Sequence, residues 1–169
     1  RRLPLDDTEK LVKKYRVLGI SEAWVGTFEA ILHRDLASAN SRLVTTCRQF
    51  TELVPIGSVN PTFPGWEEDL RRCIEDYKML GVRLHPNYHG YSLDDVRLAR
   101  LLVLVAGSHR FVQIVVAMED TRTQHRLVQV ADVDLTPLPD VLGKIPEARV
   151  QLLNYRPQSA QLKRLAQSP

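Results

Sequence analysis

With 169 residues, 44% hydrophobic and 25% charged, the chain has ordinary globular composition and enough apolar material for one sizeable core. Its 23 basic and 20 acidic side chains leave a net charge of +3, too even and scattered for a nucleic-acid interface, and Lys13-Lys14 and Arg71-Arg72 read as solvated helix faces. No apolar run approaches the roughly 20 residues of a membrane span, which argues against a membrane partner.

Cys47 and Cys73 fall in helical patterns without disulfide or metal spacing. They read as reduced, buried thiols and point to a cytoplasmic setting. The chain opens Arg1-Arg2-Leu3-Pro4 without an initiator Met, so it reads as one domain over residues 1–169 cut from a longer protein.

In chain order, periodicity predicts an amphipathic helix from Asp7 to Leu18, stopped by Gly19. A short strand, Glu22 to Gly26, follows. Phe28 to Phe50 reads as mostly helical, with a break at Asn40-Ser41. Leu53 to Pro61 reads as a strand and its end, disturbed by Pro55. Gly65 to Leu80 carries a stripe of Leu70, Cys73, Ile74, Tyr77 and Leu80 and predicts a helix ended by Gly81. Val82 to Leu84 is the next strand, and Pro86 bars it from continuing past His85.

Ser92-x-x-Asp95 has the form of a capping box opening a helix through Ala106. Phe111 to Met118 is a strand apolar enough to be buried on both faces. A short helix over Pro137 to Lys144, a strand over Arg149 to Leu153 and a helix over Pro157 to Gln167 complete the chain. Strand starts recur roughly every 30 residues with no hairpin between them, the rhythm of parallel α/β structure. An open flavodoxin-like sheet fits less well than part of a (β/α)8 barrel, because no glycine-rich phosphate loop follows any strand and the chain begins with a helix. A serine-hydrolase elbow is absent as well.

Gly81-Val82-Arg83-Leu84-His85-Pro86, preceded by Ser58-Val59-Asn60-Pro61 and followed by Tyr88-His89-Gly90-Tyr91 and Ser92-Leu93-Asp94-Asp95, resembles the amidohydrolase-related family of metal-dependent TIM-barrel hydrolases. The resemblance covers nearly the whole chain and implies an α/β fold, a (β/α)8 TIM barrel of which barrel strands two to six are present. It also implies hydrolysis, decarboxylation or hydration of a small organic substrate with a divalent metal such as zinc or manganese; the alternative is a barrel that has lost its metal and its catalysis and binds a small molecule or protein partner. The family's histidines on strands five and six align with Val115 and Asn154, so those metal-ligand positions are degenerate.

Candidate site residues lie at strand ends, where barrel chemistry collects. His85 ends a strand and reads either as a catalytic pocket histidine or as a ring bracing the loop through a carbonyl. Glu119 and Asp120 supply carboxylates for acid or base work, while Arg122 and His125 complete a cluster that could bind substrate. Asn60 and Asn154 are further substrate-binding candidates, and His89 reads as an exposed loop residue. Trp24 and Trp66 read as packing aromatics, His33 as structural, and His109 as lying on the amino-terminal, stability face. An incomplete barrel would leave strand edges open, which favours a homo-oligomer.

Overall fold

A computed structural model describes residues 7–118, 124–125 and 129–156. Helix α1 (Thr8–Val17) starts where the Asp7 carboxylate accepts the Lys10 amide at 2.9 Å. Strand β1 (Ala23–Val25) is followed by one helical turn, α2 (Glu29–Leu32), and by α3 (Leu36–Cys47), capped by the Asp35 carboxylate on the Ser38 amide at 3.0 Å. The break therefore falls at residues 33–35 rather than at Asn40-Ser41. Asn40 lies buried inside α3.

The next strand is split by Pro55. Its first half, β2 (Leu53–Pro55), pairs with β1, and its second half, β3 (Gly57–Ser58), pairs with β4 (Gly81–Leu84). The proline sits where the segment changes partners and lacks the N–H that an unbroken ladder would use. Asn40 completes the ladder there: its Nδ2 donates to the Ser58 carbonyl and its Oδ1 accepts from the Ser58 amide, both at 2.8 Å.

Helix α4 (Trp66–Arg71) widens into a π-helical turn over Arg72–Asp76, so the element predicted to reach Leu80 stops early. Lys78, with φ 55°, turns the chain back, and Gly81 is already the first residue of β4. Gly81 is required there because an added Cβ would lie 2.3 Å from the Phe111 carbonyl oxygen.

A single turn, α5 (Pro86–His89), leads to α6 (Val96–Gly107). The cap of α6 is Asp95, accepting the Arg97 amide at 2.8 Å, while Ser92 donates to the Asp94 carboxylate; Ser92 therefore does not form the predicted box. Strand β5 (Phe111–Val115), α7 (Leu138–Leu142) and β6 (Arg149–Leu153) follow, and the predicted helix from Pro157 lies outside the described residues. No helix among the described residues is long and apolar enough to cross a membrane.

Every strand pairing is parallel, in the order β1-β2 and β3-β4-β5-β6. Val82, Leu84, Val112 and Ile114 face outward into the main core with Leu98, Leu101, Leu102 and Val105 of α6. The opposite side chains point inward across a curved sheet. Trp24 of β1 stacks on Phe111 of β5 at 4.8 Å, and the Arg83 guanidinium of β4 occupies the space beside Gly26 at the end of β1. Contacts between strands that are not neighbours require the sheet to coil as staves of a barrel. Trp66 packs in the core, whereas Trp24 is 42% exposed on the inner face. Both cysteines are buried free thiols, and burial pushes Cys73 up to about 12, which keeps it protonated.

Replacing Asn40 with Ala leaves the Ser58 amide and carbonyl buried without partners and should cost about 2–3 kcal/mol. Urea unfolding measures this; a loss below about 0.5 kcal/mol would show that the amide does not complete the ladder.

Candidate functional site

Parallel register sorts the inward-facing residues into rows. Ser58 pairs with Arg83, Arg83 with Gln113, and Gln113 with Gln151. Val115 pairs with Leu153, and continuing the register beyond the ends of β3 and β4 aligns Asn60 with His85 and His85 with Val115. The first row lies inside the curve of the sheet, and the second lies at the carboxyl ends of the strands, where barrel proteins keep their sites.

The inner row is a polar ladder. Arg83 Nε donates to Gln113 Oε1 at 2.8 Å, and Gln113 Nε2 donates to Gln151 Oε1 at 2.8 Å. Arg83 has no carboxylate partner among the described residues; burial lowers its pKa, and a guanidinium stays charged regardless. The sequence contained a signal for this: Val82 and Leu84 take the helix side, so Arg83 must take the other.

In the outer row His85 is 3% exposed, and its Nδ1 has no hydrogen-bond partner. The bracing contact expected of His85 is made by His89 instead, whose Nε2 donates to the Ala30 carbonyl at 2.9 Å. A carbonyl can only accept, so the proton sits on Nε2 and Nδ1 is a bare acceptor, again without a partner. His89 is thus half-buried rather than an exposed loop residue. Its ring meets His85 edge-on at 5.7 Å and lies 6.5 Å from Tyr91 and 6.4 Å from Phe63.

Asn60 Nδ2, Ser58 Oγ and Tyr91 Oη are buried without partners too, although Asn60 Oδ1 accepts from the Thr62 amide and hydroxyl at 3.0 and 2.8 Å. Buried polar groups are ordinarily satisfied. Of six buried atoms without partners among the described residues, Arg110 Nε precedes β5, and the other five, on Ser58, Asn60, His85, His89 and Tyr91, lie on or beyond β3 and β4 and mark a place arranged for something other than packing. Desolvation, with His89 and Arg83 nearby, lowers His85 to about 4, and burial lowers His89, so both rings are neutral at pH 7.

A cavity of about 250 Å³ opens beside this row, lined by Arg83, His85, Thr27 and Asn154 together with glycine and apolar residues from β1, β5 and β6 and the turns after them. Asn154 has φ 55° and donates its amide to the Ala117 carbonyl at 2.7 Å, which braces the turn after β6. Asn60 and His85 are neighbours in register, and Asn154 shares the cavity with His85. His125 is exposed, and Glu119, Asp120 and Arg122 lie outside the described residues.

The donor set does not suit a divalent ion. Val115 offers no ligand, Asn154 spends its Nδ2 on the Ala117 carbonyl and has only a neutral amide oxygen left to offer, and no group of three His, Cys, Asp or Glu side chains is placed to hold a metal among the described residues.

The depressed pKa of His85 makes acid destabilising. Between pH 6.5 and about 4 the unfolded chain binds a proton that the folded chain excludes, so stability falls as pH drops through this window, by about 3 kcal/mol for the full shift. Melting temperature measured from pH 7 to 4 should decline, and the decline should be shallower in His85→Asn. Parallel profiles for the two proteins would contradict the assignment.

No family model matches the chain, and no curated protein matches it. Solved structures do. A 5-carboxyvanillate decarboxylase from Novosphingobium aromaticivorans, with bound manganese and 3-methoxy-4-hydroxy-5-nitrobenzoic acid, is similar over 88% of this chain and 50% of that one, at a TM-score of 0.68 and 18% identity. A 2,6-dihydroxybenzoate decarboxylase from Rhizobium is similar over 90% of this chain and 56% of that one, at a TM-score of 0.64 and 13% identity. A Staphylococcus aureus protein assigned as an amidohydrolase is similar over 87% and 60%, at a TM-score of 0.61 and 9% identity. The chain spans about half the length of the first two. At the level of fold, the chain has the architecture of part of a TIM barrel like these, with every strand pairing among the described residues parallel.

Proposed function

We propose that the protein is an amidohydrolase-like enzyme that hydrolyses or decarboxylates a small organic substrate at the carboxyl ends of its strands. The observation that carries this reading is His85, buried beside the cavity with an unpartnered ring nitrogen in the position where barrel enzymes place reactive groups. Fold similarity to decarboxylases supports the substrate size and reaction type.

The residues of the chain divide the work. His85, neutral at pH 7, accepts a proton or hydrogen bond from water or from a substrate hydroxyl. Asn60, whose Nδ2 has no partner, donates to a substrate oxygen, and the remaining amide oxygen of Asn154 borders the cavity. Glu119 and Asp120 follow β5 in the sequence and would add carboxylates, with Arg122 and His125 beside them for substrate. In this family a divalent metal, zinc or manganese, would polarise the substrate. The described residues do not build a site for it, so the roles given to His85 and Asn60 stand without it. Two buried free thiols support a cytoplasmic setting.

The test is turnover. Aromatic carboxylates offered to the protein should release carbon dioxide, or activated esters and amides should be cleaved. His85→Asn should lower kcat/KM by about 100-fold or more while folding normally at pH 7. A wild-type protein silent on both panels, or an equally active His85→Asn, would overturn the proposal.

A further inference from the structure

We propose that Arg83 is the anion-binding group of this site, and that the cavity takes a small monocyclic carboxylate with its charge on the Arg83 guanidinium and its ring against the apolar walls. The inference rests on the functional reading above for the location of the site, and goes beyond it in naming the ligand's charge and the residue that receives it.

Four observations support it. Arg83 lines the cavity yet has no carboxylate partner among the described residues, and a half-buried guanidinium without a counter-charge favours an anion beside it. Its orientation is set from behind, because Nε is held by Gln113 and Gln113 by Gln151, which leaves the terminal nitrogens for a ligand. Gly26 keeps the space for them: a Cβ at that position would stand 2.6 Å from Arg83 Nη1. The walls are Phe28, Ile31, Val115, Met118 and Leu153, with Thr27, His85 and Asn154 as polar members, so the cavity pairs one cation with a largely apolar surface. Val115 and Leu153, which contribute no metal ligand, here contribute contact area for a ring. A volume of about 250 Å³ lies just below the roughly 300–1,000 Å³ of drug-sized pockets, which limits the ligand to about one ring. A planar guanidinium and a carboxylate match as a two-point fork.

Benzoate and its neutral analogue benzamide are the probes, with binding followed by calorimetry on the wild-type protein. Benzoate should bind at least tenfold more tightly than benzamide. In Gln113→Glu, a carboxylate beside Arg83 satisfies the guanidinium from within and should weaken benzoate at least tenfold while leaving benzamide unchanged; this variant tests the charge even if Arg83→Gln does not fold. Equal affinity for the two probes, no binding of either, or benzoate binding unaffected in Gln113→Glu would each overturn the proposal. Because the readout is binding, it separates from turnover: Arg83-dependent benzoate binding without catalysis keeps the anion site and removes the enzyme, whereas catalysis on neutral substrates without benzoate preference does the reverse.

Discussion

The in-register parallel pairing of β3, β4, β5 and β6 is the constraint on which the site depends. It places Arg83, Gln113 and Gln151 side by side on the inner face and brings His85 into line with Asn60 and Val115. A slip of one residue on β4 would send Arg83 toward α6 and bring Leu84 inside, exchanging the polar ladder for the core. The outward side therefore protects the inward one. Val82, Leu84, Val112 and Ile114, all 1% exposed or less, are held by α6, and such a slip would turn Val82 and Leu84 inward.

Polar groups inside a barrel are a liability that packing alone does not remove. The ladder offsets part of it, since each glutamine satisfies its neighbour, but Arg83 ends the ladder with terminal nitrogens still open to the cavity. The orphan atoms on Ser58, in the ladder's own row, and on Asn60, His85, His89 and Tyr91, beyond it toward the mouth, are a second group of the same kind. A chain selected only for stability would favour apolar side chains of similar size at such positions. Their presence together, where the fold keeps its reactive ends, is the physical basis for assigning function here.

Much of this was legible in the sequence because it is local. The parallel rhythm, the strand over Arg149 to Leu153 and the position of His85 before Pro86 follow from apolar runs and from proline chemistry, and the structure keeps all of them. What was not legible depends on distant contacts. His89 reads as a loop residue until Ala30, Phe63 and Tyr91 close around it. The early end of α4 in a π-helical turn has no periodicity signal, and the choice of Asp95 over Ser92 as cap is decided by which carboxylate reaches the Arg97 amide. In the sequence Arg83 is one residue of a strand motif and carries no mark of a site; only the row it shares with Gln113, and the gap left by Gly26, show what its side chain faces.

A crystal structure of the protein grown with benzoate tests the central assignment most directly. The carboxylate should lie within about 3 Å of the terminal nitrogens of Arg83, with the ring between Phe28 and Leu153 and His85 at the edge of the ligand. An Arg83 paired instead with a carboxylate of the protein's own, or benzoate seated away from the β4–β5 strand ends, would contradict it.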